Sequence, residues 1–286
     1  MELILSDTMG YCGGVSRAID LVEQAIQMSH KLKKPVYSVG KIIHNEQVCD
    51  LLAAQGLVVI ESPEGHEPGL VVLRAHGIPD SLYRGFVDAG FTIIDATCPV
   101  VKRNLALIKE YSKEYTIIII GMEKHPETIA MQGVEREGIL CSTILVNDCS
   151  QIAALPSDGN YAVFVQTTYE RSLFYKIRSA IRVQEAKGTA FVFVNNVCPS
   201  SRNRRNAALQ LCSRCEALVV VGGKKSANTE ALFALIQQQG KKVWHIETKD
   251  EVTAEMRSYS PLGLTAGAST PLSTIEAVRK RLLEEE

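Results

Sequence analysis

Short apolar runs rich in valine and isoleucine recur along the chain, and they rarely alternate with polar residues. Strands buried on both faces of a parallel sheet have this pattern, because helices cover both faces. The predicted strands are Leu3–Leu5, Pro35–Val39, Val58–Ile60, Val71–Arg74, Thr92–Ile94, Thr116–Ile120, Ile144–Val146, Ala162–Val165, Ala190–Val194, Leu218–Val221, Val243–Ile246 and Leu262–Thr265.

Amphipathic stretches separate these runs, and their spacing is that of helices with one apolar face. The predicted helices are Val15–Gln27, Glu46–Gln55, Pro79–Ala89, Val101–Lys113, Ser172–Glu185, Arg204–Arg214, Asn228–Gln239 and Ser273–Glu285. Alternation of strands and helices predicts an α/β fold with mainly parallel sheets.

One plan occurs three times: a predicted strand, a short turn, a cysteine followed by glycine or proline, and a predicted helix. The cysteines are Cys12, Cys98 and Cys198, and Asn195–Val197 forms the turn before the third. The repeat predicts three similar α/β lobes. We place the lobes at residues 13–98, at 99–197, and at 198–286 together with 1–12.

Polar residues follow several of the other predicted strands. Ligands of parallel α/β sheets bind beyond the carboxyl ends of the strands, so we expect these residues to line one shared pocket. The segments are His44-Asn45, Ala75-His76-Gly77, His125-Pro126-Glu127, Gln166-Thr167-Thr168, Gly222–Asn228 and Ala266–Thr270.

Charge gives no general attraction for nucleic acid or for a membrane, because 31 basic residues face 32 acidic ones and the net charge is -1. An anionic ligand must therefore be held by local donors. The chain opens on a predicted strand instead of a basic segment with a long apolar stretch, and the run near Ile117–Ile120 is too short to span a bilayer. We expect a cytoplasmic protein.

Eight cysteines in a reducing compartment are not expected to form disulfides. A helix N-terminus favours the thiolate, which binds soft metals and iron–sulfur clusters. Cys12, Cys98 and Cys198 could thus hold a [4Fe–4S] cluster with one iron open, although buried structural cysteines explain the pattern as well. For Cys212 and Cys215, three apart at a helix end, we predict a structural role. The same prediction covers Cys49, Cys141 and Cys149.

Two further hypotheses stay open at this point. The chain could be a non-catalytic module that binds small anions. It could also be a zinc enzyme in which the three cysteines and a histidine hold the metal.

Seven motifs run in order from residue 10 to residue 271, nearly the whole chain. They are Gly10-Tyr11-Cys12-Gly13-Gly14-Val15, Ile43-His44-Asn45, Ala75-His76-Gly77, Asp95-Ala96-Thr97-Cys98-Pro99, His125-Pro126-Glu127, Gln166-Thr167-Thr168 and Thr265–Pro271. Together they resemble the 4-hydroxy-3-methylbut-2-enyl diphosphate reductases of the LytB type.

The resemblance implies the last step of the methylerythritol phosphate route to isoprenoids. In that reaction two electrons and two protons remove an allylic hydroxyl, and isopentenyl and dimethylallyl diphosphates form. The implied fold is a pseudo-threefold trefoil of three α/β lobes around a central [4Fe–4S] cluster. The implied electron donor is a separate ferredoxin or flavodoxin.

Residue roles also follow from the resemblance. It implies that Cys12, Cys98 and Cys198 ligate iron. It implies that Glu127 relays protons with help from Thr167 and His125, which also contact the substrate. The implied diphosphate ligands are His44, His76, Ser226, Ala227, Asn228 and Ser269.

The chain departs from the family pattern in two places. Ser201 and the pair Arg204-Arg205 stand where the family commonly has threonine and Arg-Gln, and Ala227 replaces a serine beside Ser226. A hydroxyl donor is lost at position 227, where only the main-chain N–H can contribute. We expect these changes to affect fine specificity.

Overall fold

A computed structural model describes residues 1–195 and 198–284. Positions 196 and 197 of the turn before Cys198, and the end of the last predicted helix at Glu285, lie outside the described residues. The chain divides into two compact units. The first comprises Met1–Ser16, Ile43–Leu52 and Pro199–Glu286, and the second comprises Arg17–Ile42 and Ala53–Cys198.

The strands lie close to the predicted ranges. In chain order they are β1 Leu3–Leu5, β2 Val36–Val39, β3 Leu57–Ile60, β4 Leu70–Leu73, β5 Thr92–Asp95, β6 Thr116–Ile120, β7 Glu135–Arg136, β8 Ile139–Leu140, β9 Thr143–Val146, β10 Asn160–Val165, β11 Ala190–Phe193, β12 Ala217–Val221, β13 Lys242–Ile246 and β14 Leu262–Ala266.

The helices alternate with the strands. They are α1 Gly13–Leu32, α2 Glu46–Ala54, α3 Asp80–Asp88, α4 Pro99–Tyr111, α5 Pro126–Gln132, α6 Cys149–Ala153, α7 Arg171–Glu185, α8 Pro199–Arg214, α9 Ala227–Gln238, α10 Ala254–Arg257 and α11 Leu272–Leu283. A 3₁₀ turn spans Lys249–Glu251.

Within the described residues, three four-stranded parallel sheets share one topology. The first unit holds the order β1-β14-β12-β13, and the second holds β5-β4-β2-β3 and β11-β10-β6-β9. In both sheets of the second unit, the strands counted in chain order lie in the order fourth, third, first, second. The sheet of the first unit has the same order when β1 is counted last, after β12, β13 and β14. The predicted α/β fold with three similar parallel sheets is confirmed. The lobe limits stay a prediction.

The central strands explain why apolar runs do not alternate with polar residues. On β6, Ile118 lies in an apolar cluster with Ile177 of α7, whereas Ile119 lies in a second cluster with Ile108 of α4. Both isoleucines are fully buried. Each side of this sheet is therefore covered by helices, and every residue of the strand interior has to be apolar.

Several short elements escape the sequence pattern. Helices α5, α6 and α10 are too short to show a helical period, and the antiparallel pair β7–β8 has two residues per strand. The predicted starts of α4 and α8 at Val101 and Arg204 were also wrong, since both helices begin directly after a cysteine. The polar first turn of α8 conceals its start.

The two-sided burial of β6 makes a first prediction. We expect Ile119→Ala to lower the free energy of unfolding by about 2–5 kcal/mol, because it leaves a cavity among fixed neighbours. Ile139→Ala is the matched control. Ile139 is 73% exposed, so its change should stay within about 0.5 kcal/mol. Denaturant unfolding of both variants gives the comparison, and equal losses would contradict two-sided burial.

Candidate active site

The three repeated cysteines each stand directly before a helix. Cys12 precedes α1, Cys98 is the N-cap of α4, and Cys198 precedes α8. All three are half-buried, and no disulfide forms across the described residues, which include all eight cysteines. The helix N-termini give each sulfur a positive local field.

The same main-chain hydrogen bond holds each of these cysteines. The amide of Cys12 donates to the carbonyl of Ala268 at 3.2 Å, that of Cys98 to Ala75 at 2.9 Å, and that of Cys198 to Thr167 at 2.9 Å. In every case the acceptor lies two residues beyond the end of the third strand of the sheet. The sequence repeat is therefore also a repeat of backbone geometry.

Glu127 lies at the first turn of α5 in the second unit and is only 1% exposed. Thr167 donates to it twice, from its main-chain N–H to Oε1 at 2.9 Å and from its hydroxyl to Oε2 at 2.7 Å. Burial raises the pKa of Glu127 from 4.5 to about 7, although the two hydrogen bonds from Thr167 act to lower it. A carboxyl with this pKa can both hold and release a proton near neutral pH.

His125 is fixed by the helix that carries Glu127. It is the N-cap of α5, and its Nδ1 accepts from the N–H of Glu127 at 3.2 Å. A neutral His125 therefore carries its proton on Nε2. The ring of His76 lies perpendicular to it, with centroids 5.3 Å apart. The second unit thus brings together four of the predicted site residues: His76, His125, Glu127 and Thr167.

Gln166 supports this arrangement, although the sequence predicted no role for it apart from membership of the Gln166-Thr167-Thr168 motif. Its fully buried side chain accepts from the N–H of Met122 at 2.9 Å and donates to the hydroxyl of Thr168 at 2.8 Å. Its Oε1 also accepts from Thr128 at 3.4 Å. It thereby joins the loop after β6 to the loop after β10. The sequence signal for Gln166 was its place as a polar residue directly after an apolar strand.

The first unit brings together the predicted hydroxyl and amide ligands. The hydroxyl of Ser269 donates to the main-chain carbonyl of His44 at 3.2 Å and lies 3.4 Å from Ser226 Oγ. Ser226 caps α9, so Ala227 and Asn228 occupy its first turn. Asn45 donates to the carbonyl of Ser269 at 3.0 Å. Helix α9 therefore presents main-chain donors beside two hydroxyls.

Asn228 repeats the position of Glu127 in a different sheet. Its Oδ1 accepts from the N–H of Ala268 at 3.3 Å, and the carbonyl of Ala268 accepts from Cys12. In the same way, Glu127 accepts from the N–H of Thr167, whose carbonyl accepts from Cys198. One backbone framework thus carries a neutral amide in one lobe and a titratable carboxyl in another.

The donor set of the three repeated cysteines fits a soft metal group. They offer three half-buried sulfurs at helix N-termini, which suits an iron–sulfur cluster. Cys212 and Cys215 differ, because both are buried in an apolar cluster and burial raises the pKa of each thiol. Their surroundings agree with the predicted structural role.

The family described as "LytB protein" matches residues 3–283. This chain belongs to the LytB family. Two curated relatives, from Alkaliphilus oremlandii and Solidesulfovibrio magneticus, are named 4-hydroxy-3-methylbut-2-enyl diphosphate reductase. The first is 32% identical over 287 residues and the second 36% over 289, and in both cases 99% of each chain is covered.

Solved structures agree with this assignment. A reductase from Plasmodium falciparum matches the LytB chain with a TM-score of 0.87 and 26% identity, covering 98% of this chain and 87% of that one. A second reductase, titled the terminal enzyme of the non-mevalonate pathway, matches with a TM-score of 0.76 and 29% identity over the full length of both chains.

The predicted family and the predicted enzyme class, an oxidoreductase, are confirmed. None of the described helices has the length and apolar character needed to cross a bilayer.

The raised pKa of Glu127 makes a second prediction. The folded state holds the Glu127 proton more tightly than the unfolded state, so its contribution to stability is full below about pH 4.5 and is lost as pH rises through about 7. Relative to Glu127→Gln, the wild type should therefore lose on the order of 3 kcal/mol between pH 4.5 and 8. Thermal midpoints of both proteins measure the difference. A pH-independent difference would contradict it.

Proposed function

We propose that this chain removes the allylic hydroxyl of 4-hydroxy-3-methylbut-2-enyl diphosphate by reduction, forming isopentenyl and dimethylallyl diphosphates. This is the last step of the methylerythritol phosphate route. The names of its relatives support the substrate. One observation carries the mechanism: Thr167 accepts from the amide of Cys198 and donates twice to Glu127. A single residue thus joins a proposed iron ligand to a proposed proton donor.

The proposed ligands of one [4Fe–4S] cluster are Cys12, Cys98 and Cys198. Their equivalent anchoring at three helix N-termini supports the assignment. When bound, the cluster would supply the electrons and, at the iron without a cysteine ligand, a Lewis acid.

The reaction consumes two electrons and two protons for each substrate. The allylic C–O bond breaks, the oxygen leaves as water with one proton, and the other proton goes to a carbon of the allyl group. Glu127 is the proposed source of protons, because its buried carboxyl has a pKa of about 7. The Thr167 hydroxyl, 2.7 Å from Oε2, orients that carboxyl, and His125 fixes the start of the same helix.

The diphosphate would be bound mainly by neutral donors. The proposed ligands are His44, His76, Ser226, Asn228 and Ser269, together with the main-chain N–H of Ala227. Ser226 and Ser269 have hydroxyls 3.4 Å apart at the start of α9, where free N–H groups favour an anion. Histidines add charge when they are protonated. Local donors of this kind suit a protein with a net charge of -1.

The electrons would come from a separate small carrier, and we propose a ferredoxin or a flavodoxin. We also keep the proposal of a cytoplasmic location.

The cluster assignment makes a third prediction. Protein reconstituted anaerobically should contain about four irons and four sulfides per chain. Cys12→Ser, Cys98→Ser and Cys198→Ser should each lose most of that iron, whereas Cys212→Ser, the matched control, should keep it. Metal and sulfide analysis gives the result.

Other outcomes of this experiment would favour the two competing hypotheses. Zinc without sulfide would support a zinc enzyme. Phosphate-ligand binding that survives loss of all three cysteines, in a protein without iron, would support an anion-binding module.

The role of Glu127 makes a fourth prediction. Glu127→Gln should keep its iron and lose about 10²–10⁴-fold in turnover, because an amide fits the site but delivers no proton. Glu123→Gln is the control, since Glu123 is exposed four residues earlier in the chain. Turnover with a chemical reductant isolates this step from the carrier protein. Near-normal turnover of Glu127→Gln would remove Glu127 from the mechanism.

A further inference from the structure

Arg204 is a buried arginine of α8, only 2% exposed, within the first unit. Its Nη2 donates to the carbonyl of Gly10 at 2.6 Å and its Nε to the carbonyl of Ala266 at 3.1 Å. Its Nη1 donates to the hydroxyl of Ser200 at 3.3 Å, one turn earlier on the same helix. The guanidinium therefore joins two backbone segments that are far apart in sequence.

Both of those segments belong to the anchor of Cys12. Gly10 lies two residues before Cys12 and has a φ of 77°, a left-handed conformation that favours glycine. Ala266 ends β14, two residues before Ala268, whose carbonyl accepts from the amide of Cys12. Arg204 thus holds both sides of the hydrogen bond that orients Cys12.

We propose that Arg204 is a positioning residue that sets the Cys12 loop for iron ligation. The inference rests on the proposed function, because it assumes that Cys12 binds the cluster. A guanidinium suits the task, since it stays charged and offers several donors in one rigid plane. A lysine keeps the charge but cannot supply this fork of donors.

A second arginine shows the same kind of contact in the second unit. Arg17 donates from Nη1 to the carbonyl of Thr97, the residue before Cys98, at 3.3 Å, and from Nη2 to the carbonyl of Asp95 at 3.1 Å. Arg17 is exposed, however, so water competes for these bonds. The buried Arg204 should hold its loop much more firmly.

The other two helices that follow a repeated cysteine differ from α8 at the position of Arg204. Arg204 stands six residues after Cys198, and the residues six after Cys12 and Cys98 are Ala18 and Asn104, which are buried too. Burial at this position does not therefore require a guanidinium. The charge is specific to the helix that reaches the Cys12 loop.

The test compares Arg204→Lys and Arg204→Gln with Arg202→Lys, an exposed arginine on the same helix. Hydrogen exchange is measured in the metal-free proteins on peptides that contain Cys12, Cys98 and Cys198. We expect exchange of the Cys12 peptide to rise about tenfold in both Arg204 variants, with the other two peptides unchanged. We expect no change in Arg202→Lys.

Iron loss gives the second readout. After anaerobic reconstitution, we measure the rate at which a chelator removes iron from each protein. This rate should be at least about fivefold higher for the Arg204 variants than for wild type or Arg202→Lys. Exchange that rises equally in all three peptides, or global unfolding of both variants, would overturn the proposal in favour of a general role in stability. Unchanged exchange with unchanged iron loss would also overturn it.

The two proposals fail in different ways. A wild-type protein that holds no iron and sulfide would refute the proposed function, whatever the exchange data show. A wild-type protein that holds the cluster, beside Arg204 variants that behave like Arg202→Lys, would refute the role of Arg204 alone.

Discussion

The site depends on the pairing of one edge strand with its neighbour in each parallel sheet. These pairs are β1 with β14, β5 with β4, and β11 with β10. Parallel pairing places the carboxyl ends of both strands at one edge, so the turn that carries a cysteine meets the loop that carries its carbonyl partner. This pairing therefore produces the hydrogen bond that each cysteine amide donates to a carbonyl. The same loops also position the polar side chains.

Glu127 shows how a stable framework can carry a costly group. A carboxyl buried among hydrophobic residues would destabilise the fold if it stayed charged without partners. Two hydrogen bonds from Thr167 satisfy its oxygens, while burial raises its pKa to about 7. At the equivalent place in another sheet, Asn228 makes the corresponding bond without a charge. Of these two sheets, only the one beside Glu127 therefore carries a titratable group at this place.

Much of the fold could be predicted from the sequence, because its signals are local. Runs such as Ile117–Ile120 are apolar throughout, and three other strands are each followed by a short turn and a cysteine. The motifs also identified the residues that the second unit collects around Glu127. The short helix α5 could not be predicted, since seven residues show no clear period.

The contacts of Arg204 could not be predicted for a different reason. Its partner Gly10 lies 194 residues away in the chain, and main-chain carbonyls leave no trace in a side-chain pattern. In the sequence, Arg204 only matched the arginine of the family's Arg-Gln pair, and the departure lies at Arg205 beside it. Gln166 was inconspicuous for a similar reason, because its partners include the main-chain amide of Met122.

The pairing of β1 with β14 also bears on how the protein is made. The strand at Leu3–Leu5 emerges from the ribosome before the other described strands, whereas its partner at Leu262–Ala266 follows all of them in the chain. Cys12 has no carbonyl acceptor until Ala268 has left the exit tunnel. The two sheets of the second unit, whose strands all lie between residues 36 and 193, can form before that point. The order of synthesis therefore delays anchoring of the Cys12 loop until after the strands of the second unit have been made.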